Sequence, residues 1–407
     1  MVVKRARHFF GGKDMRLKCI LIITAVCFMM SGFLPAQSWS PLKQLTYTGG
    51  GGWDPAIAVD TIEGVYLAFT RDAASYMDIF CKGSLAWGNT WLAPDRLSWT
   101  AGQCEDPDIV VDSTGRRHVV WMDYTPSPLE NIEIIYKHSA SAAPWSPPVR
   151  VTWTAVGSVS PALAVDSNDT IHLVWEETMG GNSEIFYKNT TDSGISWSVS
   201  KRLTWNSDYS SSPAIAVDSN DYIHIVWANG LGTKTLLCHK VSKDGGNTWS
   251  NLKRLTYLTY TVLRPDIAAD STGGIHVVWS QQYSGINDVT YKCSTNGGTT
   301  WQLPQRLTWT SGYAGSAKIA VDLSGGIHIC YIDDTTGYNE IFYKESTDTG
   351  TTWLPPVRLT WNNVSWTHDN QIAVDKNNSV HIVWQNSTWN PANFEIFYKK
   401  RAAAPWL

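Results

Sequence analysis

One short element recurs along the chain, and its period decides the fold. Arg96-Leu-Ser-Trp99, Arg150-Val-Thr-Trp153, Arg202-Leu-Thr-Trp205, Arg254-Leu-Thr-Tyr257, Arg306-Leu-Thr-Trp309 and Arg358-Leu-Thr-Trp361 are copies of it, and Gln44-Leu-Thr-Tyr47 is a seventh. The copies start at 44, 96, 150, 202, 254, 306 and 358, so every interval is 52 or 54 residues. A fixed period near 50 belongs to propellers, solenoids or arrays. Each unit holds four short segments rich in β-branched and aromatic residues, such as Pro213–Asp218, Ile223–Trp227, Leu236–His239 and Trp249–Thr256. Turn residues separate them, and none has a helical period. Four short strands in about 50 residues make one propeller blade.

The ends of the repeat predict how the ring closes. The last unit has three strands and no outer one, whereas Trp39–Thr46 has the form of an outer strand with no blade before it. Strand Trp39–Thr46 is therefore expected to complete the last blade, which removes two free sheet edges. The expectation is an all-β, seven-bladed propeller over 37–407, closed by its N-terminal strand. Eighteen of the 22 tryptophans fall at three repeat positions. They include Trp99, Trp153, Trp205, Trp309 and Trp361, and all are expected to fill the wedges between blades.

Before that domain, Met15–Lys18 is basic and Cys19–Leu34 is apolar and uncharged. The order is that of a secretory signal over 15–36, with 1–14 as an upstream extension. The apolar run is short for a membrane span; an uncleaved anchor is the alternative. A secreted or periplasmic protein with no span after cleavage is expected, as a monomer. The formal net charge is −4, so nothing favours phosphate and no nucleic-acid partner is expected. Five cysteines, Cys81, Cys104, Cys238, Cys293 and Cys330, lie in the repeat domain without paired spacing, which points to no disulfide framework and no zinc site.

The turn before the outer strand carries a resemblance. It reads Ser242-Lys-Asp-Gly-Gly-Asn-Thr-Trp249, Thr190-Thr-Asp-Ser-Gly-Ile-Ser-Trp197, Ser346-Thr-Asp-Thr-Gly-Thr-Thr-Trp353 and, with Asn for Asp, Ser294-Thr-Asn-Gly-Gly-Thr-Thr-Trp301. This resembles the Asp-box, or BNR, repeat of the sialidase-like β-propellers. The resemblance implies boxes on the face opposite the active site, and it raises the prospect of sialidase chemistry. The chain departs from those enzymes. It lacks a Phe/Tyr-Arg-Ile-Pro stretch, and it has seven units where sialidases have six blades. Six of its arginines are the repeat position itself. They are expected to pair with repeat carboxylates, which leaves Arg71 and Arg264 for a central site.

Repetition also disposes of other constellations. His118, His172, His224, His276, His328 and His381 occupy one position in six blades and cannot converge on a metal, so no metal or cofactor is expected. Departures from the repeat say more. The residue before each inner strand, expected at the channel mouth, is Asp54, Asp106, Ser160, Ser212, Arg264, Ser316 and Asp369 in turn. Asp54, Asp106 and Asp369 fall on blades that become neighbours on closure. Asp123 and Arg71 end second strands on that face, and Trp53 and Trp366 lie in its loops. The expected site is Asp54, Asp106, Asp369, Arg264, Arg71, Asp123, Trp53 and Trp366. Acids beside exposed aromatic rings suit a non-catalytic binding or scaffold propeller for a glycan or a cell-surface protein. The alternative is a sialidase-like glycoside hydrolase or lyase using the mouth carboxylates as acid and base.

Overall fold

The computed structural model describes residues 38–402, apart from 48–50, 74–75, 125–130, 141–142, 206, 258–260, 362–365 and 388–393. The expected signal at 15–36, the extension at 1–14, and Trp389 and Trp406 lie outside the described residues. Among the described residues the strands pair into seven antiparallel sheets, six of them built from strands consecutive in the chain. Blade four is representative, with Ser210–Val217 innermost, then Ile223–Leu231, Lys234–Ser242 and a two-residue outer strand, Lys253–Arg254. Blade one has its outer edge in two pieces, Thr90–Trp91 and Asp95–Arg96, both paired with Tyr76–Leu85.

Closure is as expected. The seventh sheet joins Thr367–Val374, Val380–Ser387 and Phe394–Arg401 to Lys43–Gln44 from the other end of the chain. Lys43 pairs with Tyr398 and Gln44 with Phe397, and Trp39 bridges Arg401. The Thr46 hydroxyl bonds Glu395 and accepts the Ile396 N–H at 2.9 Å, so the seam repeats the bonding of the other outer strands.

Large rings hold the wedges between sheets. Trp121, Trp175, Trp227, Trp279 and Trp384 end the second strands and are fully buried, with Phe69 and Tyr331 in the remaining two blades. Behind them a repeated latch of aspartate, histidine and third-strand ring joins most blades to the next, with Tyr66 and Cys81 in place of the histidine and ring in blade one. Asp218 Oδ1 accepts the turn amides of Asn220 and Tyr222, and Oδ2 lies 3.2 Å from His224. In blade two the equivalent His118 reaches Asp112 at 3.1 Å and the third-strand Tyr136 hydroxyl at 2.6 Å. Tyr136 also lies 2.9 Å from the Ser193 carbonyl, in the Ser/Thr-x-Asp-x-Gly turn of blade three. Trp197 of that turn meets the tyrosine ring edge-on at 5.3 Å. Gly194 lies under the same ring with φ +86°, and a Cβ there would come within 2.1 Å of it. The turn thus requires glycine twice, for conformation and for space. Burial pushes His118 down to about 4, so the imidazole is neutral in the folded protein.

The repeated arginines pair as expected in five blades: Arg96 with Asp78, Arg150 with Glu133, Arg202 with Glu184, Arg306 with Asp288 and Arg358 with Glu340. Blade four has Leu236 in place of the acid, and Arg254 has no ion-pair partner among the described residues. The aromatic residue that follows is not in the wedge, and this corrects the expectation. Trp99, Trp153, Trp205, Trp309 and Trp361 are 66%, 74%, 67%, 72% and 68% exposed, and Tyr47 and Tyr257 are 71% and 78% exposed. The reason is the brevity of the outer strand: pairing ends at the arginine, and the ring lies outward over the guanidinium instead of turning into the sheet.

The two classes of tryptophan should therefore behave oppositely. Trp227→Ala, in the wedge, should cost about 3–5 kcal/mol in chemical denaturation, and Trp205→Ala less than about 1 kcal/mol. Equal losses would contradict the packing described. Deleting residues 37–46 should lower the melting temperature sharply by opening the seam; an unchanged value would refute closure.

Candidate functional site

All seven inner strands break register at the same place, as between Val159 and Ala162. The residue at each break has positive φ: Asp54 49°, Asp106 52°, Ser160 51°, Ser212 52°, Arg264 46°, Ser316 49° and Asp369 43°. These positions lie within the strand, at a bulge, rather than just before it. The bulge turns each side chain into the central channel, and side chains of the preceding blade take the freed amides. Asp54 N–H donates to Gln385 Oε1 at 3.0 Å, Ser212 N–H to Glu176 Oε2 at 3.3 Å and Ser316 N–H to Ser280 Oγ at 3.0 Å. Asp tolerates positive φ better than most residues do, whereas Arg264 and the serines are strained there.

The channel encloses about 530 Å³, and all seven bulge residues line it. Enclosure pushes the Asp106 carboxyl up to about 7, with the charge of Asp54 adding to the shift. Asp54 goes up to about 6 for the same reason, helped by Asp369. Asp106 is open to channel water, which moderates its shift. Deeper in the channel lie Asp108, pushed up to about 6 by burial, and Asp266, also raised. Lys318 opposes the rise at Asp106, Asp108 and Asp266. Asp108 accepts Leu163 N–H at 2.7 Å and Asp266 accepts Ile319 N–H at 2.9 Å, so both also tie one blade to the next. Sequence reading stopped one register short of this second ring. The signal was present two residues beyond the bulge, where Asp108, Asp266 and Lys318 replace the alanines of Ala56, Ala162 and Ala214.

A second cavity of about 660 Å³ opens on the same face across blades four to seven. Tyr209, Tyr313, Asn339 and His368 line it, and it shares Ser212, Arg264 and Ser316 with the channel. Arg264 donates from Nη1 to Ser316 Oγ at 3.0 Å, and Tyr313 OH lies 3.2 Å from that oxygen. The same guanidinium nitrogen is 3.9 Å from Asp369. Arg264 is the arginine lining both cavities among the described residues.

The structure therefore brings Asp54, Asp106, Asp369 and Arg264 together at the channel. Arg71 stacks its guanidinium on Phe80 at 5.2 Å, and Asp123 is buried 3.5 Å from Cys104 Sγ; neither lines the channel or the second cavity. Trp53 packs over Gly51 and is half-buried. Trp366 is 62% exposed, with its ring 6.1 Å from the groove residue His368. The five repeat-domain cysteines are buried and free. No grouping of three or more His, Cys, Asp or Glu able to hold a metal occurs among the described residues, and no helix there is long and apolar enough to cross a membrane.

No protein-family model matches the chain, and no curated protein matches it. Solved structures do. An ulvan lyase of a polysaccharide lyase family, bound to a saccharide of glucuronate and sulfated rhamnose, superposes with a TM-score of 0.63 at 11% identity, over 87% of this chain and 95% of that one. A protein of unknown function from Dyadobacter fermentans gives 0.55 at 13% identity, over 89% and 99%. The intramolecular trans-sialidase from Ruminococcus gnavus gives 0.51 at 14% identity, over 88% and 97%. At these identities the likeness shows the fold.

The raised channel carboxyls carry a pH dependence with a definite sign. A carboxyl whose folded pKa lies above its unfolded value supports the fold fully below the unfolded value. That support is lost as pH climbs through the folded value, here from about 4 to about 7 for Asp106. Asp106→Asn removes the loss. Its melting temperature should match wild type near pH 4 and exceed it by a few degrees at pH 8. A difference that stays constant across this range would show that Asp106 is not held protonated.

Proposed function

We propose that this protein is an exported propeller that binds a glycan at the channel mouth, and that it descends from Asp-box repeat propellers. The observation that carries the reading is the convergence of Asp54, Asp106, Asp369 and Arg264 on one opening that continues into an aromatic-lined groove. Ionised or protonated carboxyls, a guanidinium and tyrosine hydroxyls offer the donors and acceptors that a polyhydroxylated ligand needs. Six of the seven bulge positions carry Asp or Ser where sequence repetition leaves the residue free to vary, and Arg264 occupies a strained backbone position there. Strain kept at a site against the local preference points to use.

Descent from Asp-box propellers is supported by the turns themselves. Asp244 accepts Thr248 N–H at 2.8 Å and the Thr248 hydroxyl at 2.6 Å, and the Ser242 hydroxyl receives Gly246 N–H at 2.9 Å. Ser346–Thr352 repeats the arrangement. The solved neighbours include a polysaccharide lyase bound to a saccharide and a trans-sialidase, which supports a glycan as the ligand. One arginine at the cavities supports recognition of hydroxyls over the three-arginine clasp of a sialate carboxylate.

A glycan array on residues 37–407, followed by calorimetry on the best oligosaccharide, tests the reading. Asp106→Asn combined with Trp366→Ala should abolish binding while the melting temperature at pH 7 stays at or slightly above wild type. A fluorogenic sialoside should stay uncleaved. Unaltered binding by the double variant would remove the mouth from the function, and sialoside hydrolysis lost on Arg264→Ala would make the protein an enzyme.

A further inference from the structure

The exposed aromatic residue that ends each outer strand has no part in the channel site, yet it recurs in all seven blades. Its place in the blade is fixed by register. Ser98, one residue before Trp99, hydrogen-bonds Asp78 at 2.6 Å. Asp78 pairs with Arg71, and the neighbouring Thr70 pairs with Trp53, which precedes the bulge residue Asp54. The rings thus stand on the same face as the channel mouth, one per blade, at its outer margin.

Five of these rings, the tryptophans, rest on the repeat arginine. Arg150 lies 4.2 Å from the centre of Trp153, and Arg96, Arg202, Arg306 and Arg358 lie 5.7–5.8 Å from theirs. The guanidinium cannot swing away, because its carboxylate holds one end and its Nε–H donates to a backbone carbonyl two residues on, at 3.0 Å for Arg150. A lysine of the following blade adds a second cation at three rings, Lys137 at Trp99, Lys240 at Trp205 and Lys399 at Trp361, at 5.1–5.6 Å. These lysines are bound too, to the carbonyls of Leu97, Leu203 and Leu359 at 2.7–2.8 Å. The result is a rigid aromatic plate, supported beneath by a neutralised cation and about two-thirds open to water.

The chemistry of such plates selects their ligand. A lipid surface is poorly matched, because the rings lie flat instead of projecting and the flanking cations are already paired. Nucleic acid is poorly matched for the second reason and because the chain is net negative. A protein partner would need a contiguous apolar patch, whereas charged side chains separate these rings. A pyranose ring offers a flat face of C–H groups, edged by hydroxyls, that fits an open aromatic face. We propose that the five tryptophan plates form a crown that binds a neutral polysaccharide in several places at once, each plate weak alone and the set strong through multivalency. The crown is separate from the mouth and does not need the mouth to bind anything.

Affinity electrophoresis of residues 37–407 through gels containing hydroxyethylcellulose, glucomannan, xylan or alginate tests the crown. Retardation is expected in at least one neutral gel. Trp153→Ala, Trp205→Ala and Trp309→Ala should each weaken it severalfold, and the triple variant by at least about tenfold. The triple variant to Tyr, which restores a plate, should recover most of it. The triple Ala variant should keep a melting temperature within a few degrees of wild type, which shows that it is folded. Absence of retardation in every neutral gel overturns the crown. So does unchanged retardation of the triple Ala variant, or retardation in alginate alone. Sedimentation of wild type with phosphatidylcholine–phosphatidylglycerol vesicles, lost in the triple variant, would replace the polysaccharide with a membrane.

Discussion

The contact that the ring depends on is the one between a third-strand tyrosine and the glycine turn of the next blade. Tyr136 over Gly194 and Tyr187 over Gly246 are two cases, each closed by an edge-on tryptophan at 5.1–5.3 Å. A blade touches only its neighbours, so stability is a sum of such junctions. In blade four the chain changes the tyrosine and keeps the contact: His239 lies over Gly298 and against Trp301 at 5.2 Å; blade one has Cys81 at that position instead. The seam obeys the same rule, with Trp39 against Tyr343 at 5.0 Å. The aspartate and histidine behind each tyrosine orient it, and their burial is tolerable because every ring nitrogen of His118 has a partner within 3.1 Å.

With junctions set by repeated residues, individuality is left to positions the junctions do not use. The bulge in each inner strand is such a position. Its backbone is fixed at positive φ by register and by a side chain of the preceding blade, yet its own side chain faces water in the channel. One scaffold can therefore carry aspartate on three adjacent blades and arginine on a fourth without disturbing a strand. The charges then act on one another through a confined, poorly solvated space, which raises Asp54 and Asp106 together.

Blade number, closure and the roles of the repeated histidines and arginines were legible because each is a statement about period. The channel acids were legible because they break the period. What sequence could not supply was side-chain direction over one or two residues. Arg71 and Asp123 stand in strands where alternate residues face opposite sides, and both turn into the sheet packing, onto Phe80 and beside Cys104. Trp99 and its equivalents were misplaced for a related reason. Their outer strands pair over two residues only, so no pleat carries the alternation on to the tryptophan. The groove residues Tyr209, Tyr313 and His368 sit in segments whose approach is set by the ring, and no spacing in the chain announces it.

The seam between Thr46 and Glu395 joins residues 349 positions apart. The closing strand is therefore made before the six complete blades and the three strands that it must complete. During synthesis it has no partner, and it stays an unpaired edge while six blades form beside it by short-range pairing. Ring closure is then the step with the longest loop to close and the last to become available. Until it occurs the growing chain is an open arc with two adhesive ends. The period in which this protein is most exposed to capture by a second copy, or to a protease, is the interval between emergence of Glu395 and arrival of its distant threonine.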